Sequence, residues 1–477
     1  MQKRISDDFQ MVWLVAWREM RDQLRDWRII FPMVVLTLIL PFLADLGAQA
    51  AINFTTEYGT PLIAERLVPF LLMVVGYFPI TISLVIALES FVGEKERGTI
   101  EPLLVSPLKD WHLFMGKLIA GTAAPLVTSY TGIGVYMIGL YFQHIPFPDL
   151  NRMMQTLILT TIQALLMVSG AILISTQATS VRAANLMASF IVIPMALLIQ
   201  GESIMLFWGN DQVLWLAVVG VAVLTVLLGR VGIAHFQRES LLGRELDVLD
   251  LRWIGRTFWR GFKGKARSLG EWYKTELIKT VRKQFPSIIL TICIGLIAIE
   301  AGYMWVSLNS SRLVDQYNNG GLSPILSSGV GVPVTDLQIS FPTIWGHNLQ
   351  AILIIFLLGM FSFGVLGSMV YLLNMGIIGS VLALIQALGG SPLRVGLFGI
   401  LPHGIFEIPA LILSSAAILY IGVILVTPRP YRSLGEVLIE AIADWTKIGV
   451  GLVLPLLTVA AIIETWITPL LLVSVLK

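Results

Sequence analysis

Long apolar runs separated by short polar breaks dominate the chain, and their lengths decide what the elements can be. A helix rises about 1.5 Å per residue, so about 20 apolar residues cross the roughly 30 Å hydrocarbon core of a bilayer. Runs of that order predict spanning helices near 29–47, 67–88, 117–142, 155–177, 184–200 and 213–235. A second set follows near 286–307, 347–372, 374–388, 397–426 and 447–473. The run 374–388 is short, and re-entry is the alternative to spanning. Residues 5–28 differ: Phe9, Val12, Trp13, Ala16, Met20, Leu24 and Trp27 recur at three- and four-residue spacing, with Arg18, Glu19, Arg21, Asp22, Arg25, Asp26 and Arg28 on the other faces. That pattern predicts an amphipathic helix lying in the membrane interface or against a cytosolic neighbour. A second interfacial helix is expected at 427–446, where Glu436, Glu440 and Asp444 share one face and Leu438, Ile442 and Trp445 another.

The expected architecture is therefore an all-α polytopic membrane protein: a six-span bundle, a second bundle of about five spans, and interfacial amphipathic helices. Residues 1–28 form the N-terminal helix, 29–235 the first bundle, 236–285 a linker and 286–477 the second membrane domain. Composition agrees, since 56% of the residues are hydrophobic and 13% charged, where a soluble domain carries roughly 25% charged residues. The linker breaks this trend, with twelve Lys or Arg against six acids. It reads as cytosolic, with one or two surface helices whose Trp253, Phe258, Trp259 and Phe262 could enter the headgroups. The single cysteine, Cys293, excludes an internal disulfide framework and a cysteine-based metal site. No cleavable signal is expected, and the first span would serve as an uncleaved one.

Charge sets the orientation. With eleven spans and a cytosolic N-terminus, five of the 32 basic residues lie outside: Arg66, Arg152, Arg312, Arg394 and Lys477. The positive-inside rule favours this over its inverse. The stretch 89–117 then lies in the cytosol, and six charges fall in it between Glu94 and Lys109. Thr99 is a good helix N-cap, Glu101 would follow in the first turn, and Ser106-Pro107 would end or bend that helix. An ordinary solvated loop is the alternative.

The residues of this stretch read Gly93-Glu94-Lys95-Glu96-Arg97-Gly98-Thr99-Ile100-Glu101, then Leu103-Leu104-Val105-Ser106-Pro107, then Gly116-Lys117. The run resembles the signature of type-2 ATP-binding-cassette (ABC) exporter permeases, and the likeness covers about residues 5–238. The resemblance implies that the 89–117 loop couples transport to a nucleotide-binding subunit through Glu94, Lys95, Glu96, Arg97, Gly98, Thr99, Glu101, Ser106 and Pro107. It also implies a homodimer or a pairing with a sibling permease, in the cytoplasmic (inner) membrane, as half of an exporter's pathway. Many relatives carry a large external domain between the first two spans, whereas here only about 48–66 is available. No Gly-x-x-x-x-Gly-Lys-Ser/Thr occurs, so no cofactor is expected in this chain, and ATP with Mg would be bound by a separate ABC ATPase subunit.

The second set of runs carries other marks. His347-Asn348 opens a span, Leu372-Leu373-Asn374-Met375-Gly376 joins two runs, and Gly379, Ala383 and Ala387 form a small-residue stripe that suits close helix approach. Leu401-Pro402-His403-Gly404-Ile405-Phe406-Glu407 follows. The Pro-His-Gly-x-x-Glu run, with the preceding Asn374 junction, resembles the stage II sporulation protein M family over about 285–473. His403 and Glu407 share a face if the helix continues through Gly404. Such a pair inside a span serves as a polar packing clamp, a proton relay or a substrate site. A metal site is not expected, because no third His or carboxylate lies close in sequence. Glu300 and Glu464 are expected near span ends or paired within the bundle. No nucleophile–base constellation is visible, so the chain is not expected to be an enzyme. The bilayer is its surroundings, and nucleic acid is not an expected partner. The alternative to an exporter permease is a non-transporting membrane scaffold for envelope remodelling or complex assembly.

Overall fold

A computed structural model describes residues 2–58, 61–99, 105–178, 180–208, 211–235, 251–310, 340–427 and 434–471 of the chain. The described residues contain helices and no strand, and ten of the helices are long and apolar enough to cross a membrane. The chain divides into two compact units, Met1–Leu249 with Val426–Pro428, and Asp250–Leu425 with Arg429–Lys477.

The first unit holds α1 (Gln2–Gln23), α2 (Trp27–Tyr58), α3 (Pro61–Glu96), α4 (Asp110–Phe142), α5 (Leu150–Gln177), α6 (Val181–Met187), α7 (Ser189–Trp208) and α8 (Asp211–His235). Five of the ten candidate spans lie here, on α2, α3, α4, α5 and α8. The run expected at 184–200 is instead split between α6 and α7, with the break at Ala188, and is not among the ten. The expected external segment 48–66 is largely taken up by the ends of α2 and α3. Helix α3 is central, packing against α2, α4 and α5. One core joins Phe91, Leu113, Phe114, Met167 and Ile172, and a second joins Ala44, Leu72, Val75, Tyr136 and Leu140.

Helix α1 lies along α4. Val12, Val15 and Ala16 are buried, while Phe9, Leu14, Trp13 and Trp17 stay exposed, the two indoles stacked at 6.2 Å. One side of the helix therefore packs on protein, and the other presents aromatic and aliphatic groups suited to an interface. Gly116 makes the close approach possible, since a Cβ there would stand 2.5 Å from Val15 Cγ1.

The second unit holds α9 (Leu251–Lys263), a helix over 269–283 (α10) with a π turn at Trp272–Leu277, α11 (Phe285–Leu308), α12 (Phe341–Phe361), α13 (Val365–Ala387), a helix over 392–426 (α14) and a helix over 434–466 (α15). The last five supply the other candidate spans. The basic linker's described part thus packs with this unit, with α9 against α15. Trp259 is exposed as expected of a headgroup contact, whereas Phe262 turns inward against Trp272.

Two boundaries differ from expectation. The break between the second and third spans of this unit falls at Ser362–Gly364, where Phe363 and Gly364 take positive φ, and not at 372–376. Asn374 is therefore inside α13, its Nδ2 donating to the Val370 carbonyl at 2.8 Å. The stretch 427–446 is not a separate interfacial helix. From Leu434 it is the first part of α15, which continues through a π turn at Gly449–Val453 to Trp466. Most of the loop expected at 308–346 lies outside the described residues.

Charges knit α10 to α15. Asp444 accepts from Lys283 Nζ at 2.9 Å and from Lys447 Nζ at 2.7 Å, and Lys447 also donates to Thr280 Oγ1 at 3.2 Å. Burial works against the charge on Lys283, but neighbouring Asp444 outweighs it and holds the amine above the ordinary lysine range. Lys447 is 4% exposed, so removing its carboxylate strands a buried ammonium. Asp444→Ala is expected to destabilise this unit by roughly 3 kcal/mol, read as a fall in Tm of several degrees in detergent. An unchanged Tm would contradict the assignment.

Candidate functional site

The charged stretch of the first unit is built from the end of α3. A residue turns about 100° around a helix from its neighbour, so three consecutive charges can serve three elements, and here they do. Glu94 Oε1 meets Lys117 Nζ of α4 at 3.2 Å. Lys95 Nζ donates to the Thr176 and Ala178 carbonyls at 2.9 and 3.0 Å, at the C-terminal end of α5 where a cation suits the helix dipole. Glu96 accepts from the Val181 backbone N–H at 2.8 Å, an anion at the start of α6.

Lys117 is the centre of this knot. It is 2% exposed, meets Glu19 of α1 at 3.1 Å as well as Glu94, donates to the Ser90 carbonyl at 2.8 Å and lies 4.7 Å above the Phe91 ring. A second tie joins α1 to the start of α4. Asp8 accepts from Lys109 at 2.8 Å and pairs with His112 Nε2 at 3.0 Å. The ring's Nδ1 accepts from the Lys109 backbone N–H, so Nε2–H is the donor to Asp8. The hydrogen bond from Lys109 holds the Asp8 carboxyl below its usual range.

Gly98 and Thr99 end α3, and the helix expected after them falls on residues 100–104, outside the described residues. Gly98 takes φ +67°, its N–H bonds to the Lys95 carbonyl, and the Thr99 N–H reaches back to the Glu94 carbonyl at 3.0 Å. That is a Schellman stop, which only glycine adopts without strain at the left-handed position. The Thr99 hydroxyl also turns to the Glu94 carbonyl. Glu101 lies outside the described residues. The chain bends at Ser106-Pro107 before α4 begins. Arg97, Gly98, Thr99, Val105 and Pro107 are exposed, and Val105 reaches 86%.

Sequence reasoning missed the partners. Asp8 and Glu19 look like ordinary surface charges of an amphipathic helix, and nothing local marks them as facing Lys109 and Lys117. It also passed over Gln163 and Glu202, which hydrogen-bond to each other, both buried, on α5 and α7.

In the second unit the helix continues through Gly404, so His403 and Glu407 do share a face of α14. No third ligand is close in sequence, yet in three dimensions Glu464, 57 residues beyond Glu407, brings its carboxylate to the pair from α15. One atom of each of the three side chains lies within 4.8 Å of the others. Thr468 Oγ1 stands 3.2 Å from His403 Nδ1. The asparagine beside Glu407 is Asn348, at the start of α12, and not Asn374. The available signal was that Glu407 and Glu464 are the single acids of two separate apolar runs, 397–426 and 447–473. Lone intramembrane acids need a partner.

Comparison with known proteins divides the chain the same way. Residues 13–208 match the ABC-2 family transporter protein model, and residues 287–469 match Stage II sporulation protein M. The chain is 33% identical over 151 residues to an uncharacterized protein of Methanocaldococcus jannaschii, covering 31% of this chain and 82% of that one. It is 29% identical over 126 residues to the probable ABC transporter permease protein NosY of Pseudomonas aeruginosa, covering 26% and 43%. Over 58 residues it is 40% identical to the probable multidrug ABC transporter permease YbhR of Escherichia coli, covering 12% and 15%. The chain thus spans less than half the length of these two permeases. It is a multi-pass membrane protein with a transporter permease region. Residues 13–208 belong to the ABC-2 family of transporter proteins and residues 287–469 to the stage II sporulation protein M family, joined in a single chain.

Proposed function

We propose that the chain is the membrane permease subunit of an ATP-driven exporter, energised by a separate ABC ATPase that docks on the connection between α3 and α4. Its place is the cytoplasmic membrane with a cytosolic N-terminus, and two permease units, identical or siblings, enclose the pathway. The observation that carries this reading is the division of labour around the connection. Glu94, Lys95 and Lys117 are turned inward and Glu96 reaches Val181 at the surface, which ties α1, α3, α4, α5 and α6, so a push on the loop is delivered to several helices at once. Arg97, Val105 and Pro107 stay outside, and an aliphatic side chain 86% exposed at a charged loop suits a protein cleft.

The test uses the native complex. Val105→Glu and Arg97→Glu should reduce ATPase co-purification at least tenfold and uncouple ATP hydrolysis from transport, with no change in the Tm of the isolated permease. Full co-purification and coupled hydrolysis in both variants would overturn the docking assignment. If the chain acts as a scaffold, activity tolerates both changes but not His403→Ala.

A further inference from the structure

The geometry points to a divalent transition-metal site of the zinc and manganese class in the second unit, with His403, Glu407 and Glu464 as ligands. The three donors come from two helices, and one atom of each lies within 4.8 Å of the others. Ligands about 2.1 Å from a tetrahedral ion stand about 3.4 Å apart. The cluster is therefore little wider than a coordination sphere, and rotamer adjustment closes the difference. Two carboxylates among apolar helices need compensation, and among the described residues neither has an ion pair with Lys or Arg.

Two features beyond the cluster favour an ion over a shared proton. Thr468, outside the donor set and 9% exposed, engages His403 Nδ1. With Nδ1–H donated to the hydroxyl, Nε2 presents its lone pair, which is how a ligating histidine is usually held. The amide of Asn348 lies within reach of Glu407, yet its buried Nδ2 closes no hydrogen bond among the described residues. It is placed to donate to a ligating carboxylate or to an ion-bound water. One imidazole and two carboxylates with further positions open suit a borderline or moderately hard divalent ion better than the all-oxygen cage of calcium.

The site has a definite level in the bundle. Glu464 follows Asp444 by twenty residues on one helix, about 30 Å of rise, a full bilayer thickness from the Lys283–Asp444–Lys447 cluster. If the basic end of the unit faces the cytosol, the ion sits at the opposite face, where it pins α14 to α15.

The full chain, purified in detergent and stripped with a chelator, is titrated with Zn2+ alone and with Mn2+ alone. Metal content after removal of free ion and Tm are read. The expected result is one ion per wild-type chain and a rise in Tm on loading. Glu407→Gln and Glu464→Gln, nearly isosteric, should keep the apo Tm while losing the ion and the rise. Thr468→Val should weaken binding by roughly tenfold. Wild-type protein that takes up neither ion, as two carboxylates sharing a proton would, overturns the proposal. So does uptake that is equal in the wild type and the glutamine variants.

Discussion

Lys117→Ala is expected to cost the first unit roughly 3–5 kcal/mol, enough to prevent accumulation of folded protein at growth temperature. The Lys117 side chain is 1% exposed and its ammonium is shared by Glu19 and Glu94, whose side chains are 17% and 19% exposed. Its removal leaves two carboxylates facing each other with the Ser90 carbonyl beside them. The cost comes from that stranded charge more than from the lost bonds, and this yields a stringent control. The triple variant K117M/E19Q/E94Q removes all three charges at nearly constant volume, and it should regain most of the stability that Lys117→Ala loses. Tm and detergent-resistant folding of the purified chain measure both. A Tm for Lys117→Ala within a degree of wild type would remove Lys117 from the centre of the knot. The rescued triple variant also separates two roles. It should fold, yet α1, α3 and α4 would be held by packing alone, so its coupling to an ATPase should fall while its stability does not.

How far the sequence discloses these sites depends on the range of the physics involved. Span-length apolar runs and the amphipathic pattern of α1 are local, and they led to the right fold class. The Gly98 stop is also local, since the αL backbone that ends α3 there suits glycine. The direction of Glu94, Lys95 and Glu96 is not local at all. Each is satisfied by a residue 23 or more positions away. The span junction was misplaced because Asn374 and Gly376 look like breakers in an apolar run. Asn374, however, satisfies itself on the Val370 carbonyl, while the true break at Ser362–Gly364 sits where apolar residues continue on both sides. Glu464 was legible as an anomaly but not as a neighbour of His403, since pairing of two spans leaves no periodic trace.

The largest effect expected in the second unit is at Gly379. Helices α11 and α13 meet backbone to backbone there, and a Cβ on Gly379 would lie 1.9 Å from the Ile299 carbonyl oxygen and 2.8 Å from its carbon. Neither atom can rotate away as a side-chain tip could, so the helices must separate along the seam. The facing glycine is equally committed, because a Cβ on Gly302 would lie 2.1 Å from the Gly376 oxygen. Parting the seam loosens Ala298, Met375 and Tyr371, which are 2%, 1% and 1% exposed, and the 3.2 Å hydrogen bond from Tyr371 to the Thr291 carbonyl. Gly379→Ala is therefore expected to cost about 3 kcal/mol or more, at or beyond the upper end of overpacking costs. Gly376→Ala makes the same chemical change three residues earlier on the same helix, where the nearest atom, the Ala298 oxygen, stands at 3.5 Å. There the cost is absent, and the helix preference of alanine over glycine, about 1 kcal/mol, should leave that variant at or slightly above the wild-type Tm. Equal Tm values for the two variants would mean that the seam yields freely, and the small-residue stripe would then have no structural purpose at this position.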